Sequence, residues 1–440
     1  MRFRRNNVIN PVLYVRRHLA DPLYRNSFFL MASTVVTTGL GFFFWMVVAN
    51  FYTEEEVGLG AAIISAVSLL ALLSKLGLDF ALVRFLPRSD NPVRLINSSL
   101  ALVGIVSLAA ASVFIAGIDV WSPALAFIRG NAVFFLVFVV FAACCTVGWL
   151  ADNVFIATRR AEFVLWKNVI SSLLKIPLPI VMVLFFHAFG IFSSWGLALA
   201  VALAVSLVVF MPRAQVGYRP RPQLDLGLLS GIWRYSAGNY VANLFSSAPG
   251  FILPLIIVNL LGAEPNAHFY VAWMIAGLLF AIPGAVSQSL FAEGSHFEDD
   301  LWLYVRRSLT FIFLLLIPAI VLLVFVGKWL LLAFGEGYSA NALLLLQVLA
   351  LSGLFVALNR VYKTTLRVQE RLTELIAIYG FLALAVLAGS YLITPHTGIV
   401  GVGYAWTAAH AAVSVYVVLR LVSRYRSRRR VNGVSPGEQR

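Results

Sequence analysis

Lys75, Lys175 and Arg360 stand inside long apolar runs. A charge in such a run is costly and is by default a functional group, and cations held there suit an anionic ligand. Asp79 follows Lys75 by four residues in LLSKLGLDFALVRFLP, so a helix would set the two on one face. They read either as an ion pair that neutralises itself while Lys75 snorkels, or as a cation at a cavity wall oriented by Asp79. Lys175 lies mid-way along its run, where snorkelling is difficult, and immediately before IPLP. Pro177 and Pro179 would free backbone carbonyls and kink the helix there. Asp152, Asn153, Asn359 and Arg360 fall near the inner ends of their runs and read equally well as interface residues.

A second set of groups offers hydrogen bonds rather than charge. RNSFFLMASTVVTTGLGFFFWMVVAN, from Arg25 to Asn50, is repeated 209 positions later as RYSAGNYVANLFSSAPGFILPLIIVN. Thr34 falls on Asn243, Thr37 on Ser246, Thr38 on Ser247, Gly41 on Gly250 and Asn50 on Asn259. The spacing i, i+3, i+4, i+7 is one stripe along a helix. Two related helices with small polar stripes suggest a shared polar cavity in a bilayer. Pro249-Gly250 interrupts the second copy and reads as a candidate hinge.

The elements that must position these groups are membrane spans. Of 440 residues, 61% are hydrophobic and 12% charged, with a mean hydropathy of +0.89. A soluble core of this length could not hide that much apolar surface, whereas lipid faces it directly. At roughly 20 apolar residues per span, the sequence predicts an all-α polytopic membrane protein of about twelve transmembrane helices in two parallel six-helix lobes. The expected spans are 27–51, 57–85, 94–118, 132–157, 164–187 and 190–211, then 236–261, 268–291, 308–333, 342–364, 373–394 and 398–420. The corresponding divisions are a basic cytoplasmic segment 1–26, a first lobe 27–211, a cytoplasmic linker 212–231, a second lobe 232–420 and a basic cytoplasmic tail 421–440. An even number of spans per half makes the repeats parallel.

The net charge of +14 follows this topology better than it follows nucleic acid. With both termini in the cytoplasm, the basic residues on the outer side are Arg129 in a loop and Lys328 near the outer end of its span, with Lys75, Lys175 and Arg360 read as within spans. The apolar run after the basic amino terminus is too long for a signal peptide and reads as a retained span. Cys144 and Cys145 are adjacent and mid-span, small hydrophobes rather than a disulfide or metal pair. No phosphate loop, HExxH or Ser/His/Asp constellation is present, and the six histidines have no metal spacing. No cofactor or metal site is therefore expected, and the chain does not read as an enzyme.

EEEVGLGAAIISAVSLLALLSKLGLDFALVRFLP resembles the second-span region of polysaccharide-biosynthesis flippases of the multidrug/oligosaccharidyl-lipid/polysaccharide exporter superfamily. FGEGYSANALLLLQVLALSGLF, Phe334 to Phe355, is similar to that family's Phe-Gly-x-x-Tyr-x-x-Ala signature before the tenth span. The resemblance implies a cell-membrane transporter that flips a lipid-linked, O-antigen-type oligosaccharide or polysaccharide precursor from the inner to the outer leaflet. Its partners would be the lipid-linked saccharide, membrane lipid, a coupling ion and polysaccharide-assembly enzymes, and not nucleic acid. Lys75 and Lys175, with Arg360, would receive the diphosphate, Asp79 would orient Lys75, and the two stripes would meet the sugars. Two readings stay open beside it: a cation-coupled multidrug or metabolite exporter, and a membrane polysaccharide polymerase or ligase. The short expected outer loops disfavour the last.

Overall fold

A lipid-embedded backbone must satisfy its own hydrogen bonds, so long apolar runs in this setting become helices. The computed structural model describes residues 22–221, 223–296 and 301–432, so the expected basic termini fall largely outside the described residues. Twelve helices among them are long and apolar enough to span: α1 Arg25–Phe51, α2 Glu54–Ser74, α3 Pro92–Ala116, α4 Ala132–Ala157, α5 Glu162–Leu184 and α6 Phe186–Ala214. The second six are α7 Ser236–Leu260, α8 Ala263–Phe291, α9 Leu301–Leu332, α10 Leu343–Val368, α11 Leu372–Thr397 and α12 Val400–Leu421. No strand occurs among the described residues. The protein is an all-α polytopic membrane protein.

One expected span is too long. The run 57–85 forms α2 to Ser74, then a turn with Leu76 and Gly77 at φ 52° and 77°, then a separate short helix Leu78–Phe85. Glycine adopts that conformation freely, and its presence beside Leu76 lets the chain turn where continuous hydropathy suggests a helix.

The chain divides into two compact units. The first comprises the residues through Phe51, Leu70–Ile118 and Ala126–Tyr240; the second comprises Tyr52–Leu69, Asp119–Leu125 and the residues from Val241 onward. In the first unit α1 packs on α5 and α3 on α4. Leu82, Ile96, Leu150 and Phe155 form its buried apolar centre. In the second, α10 packs on α8, α9 and α12, and α11 packs on α12. Its centre includes Ile312, Leu316 and Ala357. Helix α10, the hub of the second unit, has more of its length enclosed than any other of α7 to α12.

The segment 212–231 is fastened to the first unit. Tyr218 is buried there, and burial pushes its phenol up to about 12. Asn97 donates to the Arg219 carbonyl at 3.0 Å, Ser98 Oγ accepts from the Asp225 amide at 3.1 Å, and Arg94 pairs with Asp225 at 2.7 Å. Asp225 also accepts from the Leu228 amide, capping the helix that leads into α7.

The duplication is visible in backbone detail. Asn50 donates to the Met46 carbonyl at 2.8 Å, and Asn259 to the Leu255 carbonyl at 2.7 Å. After α4, Arg159 turns at φ 57° and Arg160 donates to the Phe155 carbonyl. After α10, Glu370 turns at φ 54° and Arg371 donates to the Leu366 carbonyl. Both are helix ends closed by a left-handed residue.

Candidate functional site

The polar groups of the first unit are largely spent on one another. Lys75 donates to Asp79 at 2.7 Å, both side chains are buried, and the ammonium lies 5.6 Å from the Trp149 ring centroid. The pair expected on one helical face does meet, but across the Leu76–Gly77 turn rather than along a helix. Lys167 on α5 donates to Asp152 on α4 at 2.5 Å and to the Gly148 carbonyl at 3.2 Å. Lys167 was not singled out from sequence, because the expected fifth span began only three residues before it.

Lys175 is different. The first helical segment of α5 ends at Lys175, and the helix resumes at Leu178 after Pro177. The ammonium lies 5.5 Å from the Phe44 ring centroid. A side chain at Gly41, on the repeated stripe of α1, would come 4.0 Å from it. No carboxylate pairs with Lys175 among the described residues. It is a half-buried cation held by an aromatic face.

The α1 stripe is partly self-satisfied. Thr34 bonds to the Leu30 carbonyl at 3.0 Å and Thr37 to the Ser33 carbonyl at 2.8 Å, the usual fate of a mid-helix hydroxyl. Thr38 is half-buried. The off-stripe neighbour Ser33 accepts from Asn168 of α5 at 2.8 Å.

The second unit holds a cavity of about 260 Å³. Arg360, Lys363, Thr364 and Arg367 line one wall, all from α10. Gly284, Ser287, Gln288 and Phe291 of α8 line another, and Ser246 of α7 and Tyr379 of α11 complete it. The α10 cations recur at i, i+3 and i+7, so they share one helical face. Lys363 is 8% exposed and sits 4.5 Å from the Tyr379 ring centroid. Arg367 reaches the Tyr379 hydroxyl at 3.5 Å. No carboxylate lines this cavity among the described residues. A side chain at Gly284 would come within 3.4 Å of the Arg360 guanidinium, so glycine there leaves Arg360 its place in the cavity.

Of the expected groups, the structure therefore brings Arg360 and Ser246 together. Ser247 instead bonds to Asn243 along α7 at 3.3 Å. Pro249 and Gly250 lie within a helix that runs unbroken through them. Arg367 was missed because the expected tenth span ended at 364, and Lys363, one residue inside that end, was passed over with it. Their signal was the spacing R-x-x-K-x-x-x-R, of which Arg360 alone was singled out. Asn359, one residue before Arg360, belongs to the core. It donates to the His410 carbonyl at 2.8 Å and accepts from Ser414 at 3.0 Å, joining α10 to α12.

Chemically the described lining offers two guanidiniums, an ammonium, an amide and hydroxyls, with no acid among them. That set binds phosphate-type anions through charge-assisted hydrogen bonds.

Comparison with known proteins bears on both fold and family. Residues 23–223 match the family model described as "Polysaccharide biosynthesis protein". A Shigella flexneri protein named as an O-antigen transporter is 26% identical over 175 residues, which are 38% of this chain and 41% of that protein. The match thus spans about two fifths of the relative's length. Among solved structures, a lipid II flippase in an inward closed conformation matches with a TM-score of 0.76 at 11% identity, over 90% of this chain and 87% of its own. An inward-facing multidrug resistance transporter of the MOP superfamily matches with a TM-score of 0.68 at 14% identity, over 89% and 95%. A MOP superfamily transporter from Pyrococcus furiosus matches with a TM-score of 0.63 at 15% identity, over 92% and 96%. At these identities the likeness is one of fold.

Proposed function

We propose that this chain, whose residues 23–223 match the family model described as "Polysaccharide biosynthesis protein", is a flippase of the MOP superfamily that moves a lipid-linked oligosaccharide or polysaccharide precursor from the inner to the outer leaflet. The observation that carries this reading is the cationic cavity of the second unit, with Arg360, Lys363 and Arg367 on one face of α10 and no acid among the described lining residues. A polyprenyl-diphosphate sugar cannot cross unaided, since each stripped hydroxyl costs several kcal/mol in hydrocarbon. The three cations receive the diphosphate, and Ser246, Ser287 and Gln288 offer hydrogen bonds to the first sugars. Lys175 serves as a second cationic station in the first unit. Lys75, compensated by Asp79, has a smaller part in binding.

With an inside-negative potential, outward movement of an anionic headgroup is favoured by about 2.3 kcal/mol per charge per 100 mV. The two termini lie on the cytoplasmic side in this reading, and Pro249-Gly250 gives α7 a place to flex. Polysaccharide-assembly enzymes supply and consume the substrate. No catalytic step is assigned to the chain.

A cation-coupled drug exporter on the same fold would want a carboxylate facing its substrate. The cavity lining would instead repel a cationic drug. The deciding experiment reconstitutes the purified chain in vesicles and measures translocation of a polyprenyl-diphosphate oligosaccharide beside efflux of a cationic dye. Sugar translocation that is lost in Arg360→Ala with Arg367→Ala supports the proposal; dye efflux without sugar translocation sinks it.

A further inference from the structure

A second cluster lies in the second unit, away from the cationic cavity and at the opposite ends of its helices. Glu54 opens α2, while Glu264 and His268 stand one turn apart at the start of α8. Their ligating atoms lie within 4.8 Å of one another, and Glu54 Oε2 meets His268 Nε2 at 2.7 Å. The two helix starts approach very closely: a side chain at Gly58 would collide with the Ala263 carbonyl, and Asn266 donates to the Gly58 carbonyl at 2.7 Å.

Glu54 is not needed to cap its helix. Thr53 and Glu56 already form a reciprocal capping box, with bonds of 3.0 and 3.2 Å. The Glu54 carboxylate instead lies over Gly337, where any side chain would overlap it. The next residue, Tyr338, is 1% exposed and stands edge-to-face with His268 at 5.3 Å. Its hydroxyl has no hydrogen-bond partner among the described residues. Asn266, fully buried and lying between Glu264 and His268 in sequence, also leaves its side-chain oxygen unpartnered among the described residues. Two orphaned oxygens at one junction of carboxylates and imidazole call for a ligand that accepts electron pairs.

We propose that Glu54, Glu264 and His268 form a binding site for a divalent metal ion. One imidazole nitrogen with two carboxylates suits Zn²⁺ or Mn²⁺ rather than the all-oxygen shells of Ca²⁺ and Mg²⁺. Ligands about 2.1 Å from an ion can be no more than about 4.2 Å apart. The observed spread of up to 4.8 Å closes by a small swing of the exposed Glu264. The ion would tie the start of α2 to the start of α8, with Tyr338 covering the imidazole. This site does not depend on the substrate assigned above.

The test uses the full chain, purified in detergent and freed of metal by chelation, titrated with Zn²⁺ and separately with Mn²⁺ by calorimetry and thermal unfolding. One equivalent of one of these ions should bind and raise the unfolding temperature. Glu264→Gln, at an exposed position that folding tolerates, should weaken that binding about tenfold or more. His268→Gln should abolish it, and an acid remote from the site, Glu370→Gln, should leave it unchanged. The proposal is overturned by the absence of saturable binding, or by binding that Glu264→Gln leaves intact.

Discussion

The chain closes α4 and α10 with the same left-handed turn and then puts opposite charge just before it. In the 211-residue register set by Arg159 and Glu370, Asp152 of the first unit corresponds to Lys363 of the second. Asp152 is neutralised by Lys167, whereas Lys363 rests on a tyrosine ring and shares its cavity with two arginines. The backbone of the repeat is kept to the level of single hydrogen bonds while its electrostatics diverge. Duplication supplies a scaffold; one copy pairs Lys75 and Asp152 with opposite charges, and the other leaves Lys363 beside two arginines with no acid among the described lining residues.

That contrast is sharpest in stability. Removing one member of a buried ion pair strands the other, at a cost of about 3–5 kcal/mol, whereas replacing both by apolar groups is often neutral. Asp152→Asn should destabilise the chain by that order in a detergent unfolding titration, and Asp152→Asn with Lys167→Met should regain most of it. Equal losses in the single and double variants would mean that the pair is not what stabilises this site.

The same helical position in the second unit should behave in the opposite way. Lys363→Met strands no partner, so unfolding should stay the same or shift upward. Two unit charges 4 Å apart at an effective dielectric of 20 interact by about 4 kcal/mol. Even a fraction of this lost from a diphosphate contact should slow translocation about tenfold or more. A stricter version rebuilds the first unit's chemistry in the second: Lys363→Asp with Ile378→Lys, the counterpart of Lys167 in the same register. This variant should fold and fail to transport. Normal transport by it would place the anion elsewhere, with Lys175 the next station to examine. Lys175→Ala alone should reduce translocation a few-fold at normal abundance, because its cation rests on one aromatic face; a fall in abundance only would make it structural.

Hydropathy made the twelve spans legible, because lipid admits few alternatives for an apolar run of that length. Its failures have local causes. Leu76 and Gly77 turn the chain inside an apolar stretch, which a hydropathy sum cannot register. The true end of α10, beyond Arg367, was hidden because basic residues there look like a span's cytoplasmic edge. The cationic cavity was consequently half-seen, through Arg360 and Ser246. The Glu54, Glu264 and His268 cluster was not seen at all, since more than two hundred residues separate Glu54 from the other two and no motif spacing joins it to them.

The smallest effect concerns the repeated stripe, the feature most visible in sequence. Thr34 and Thr37 already bond to their own helix, and Ser247 bonds to Asn243, so each would have to exchange an existing bond for one to a sugar. Such exchanges are worth about 0.5–1.5 kcal/mol each. Thr38→Leu with Ser247→Leu should therefore slow translocation by less than the charge substitutions, within about tenfold. Ser246→Leu should exceed that pair, because Ser246 alone of the α7 stripe faces the α10 cations and its replacement also narrows their cavity. Measured side by side in vesicles, a stripe pair more damaging than Ser246→Leu and Lys363→Met would reverse the order. Hydroxyls shared by both copies, rather than charges confined to one, would then govern passage.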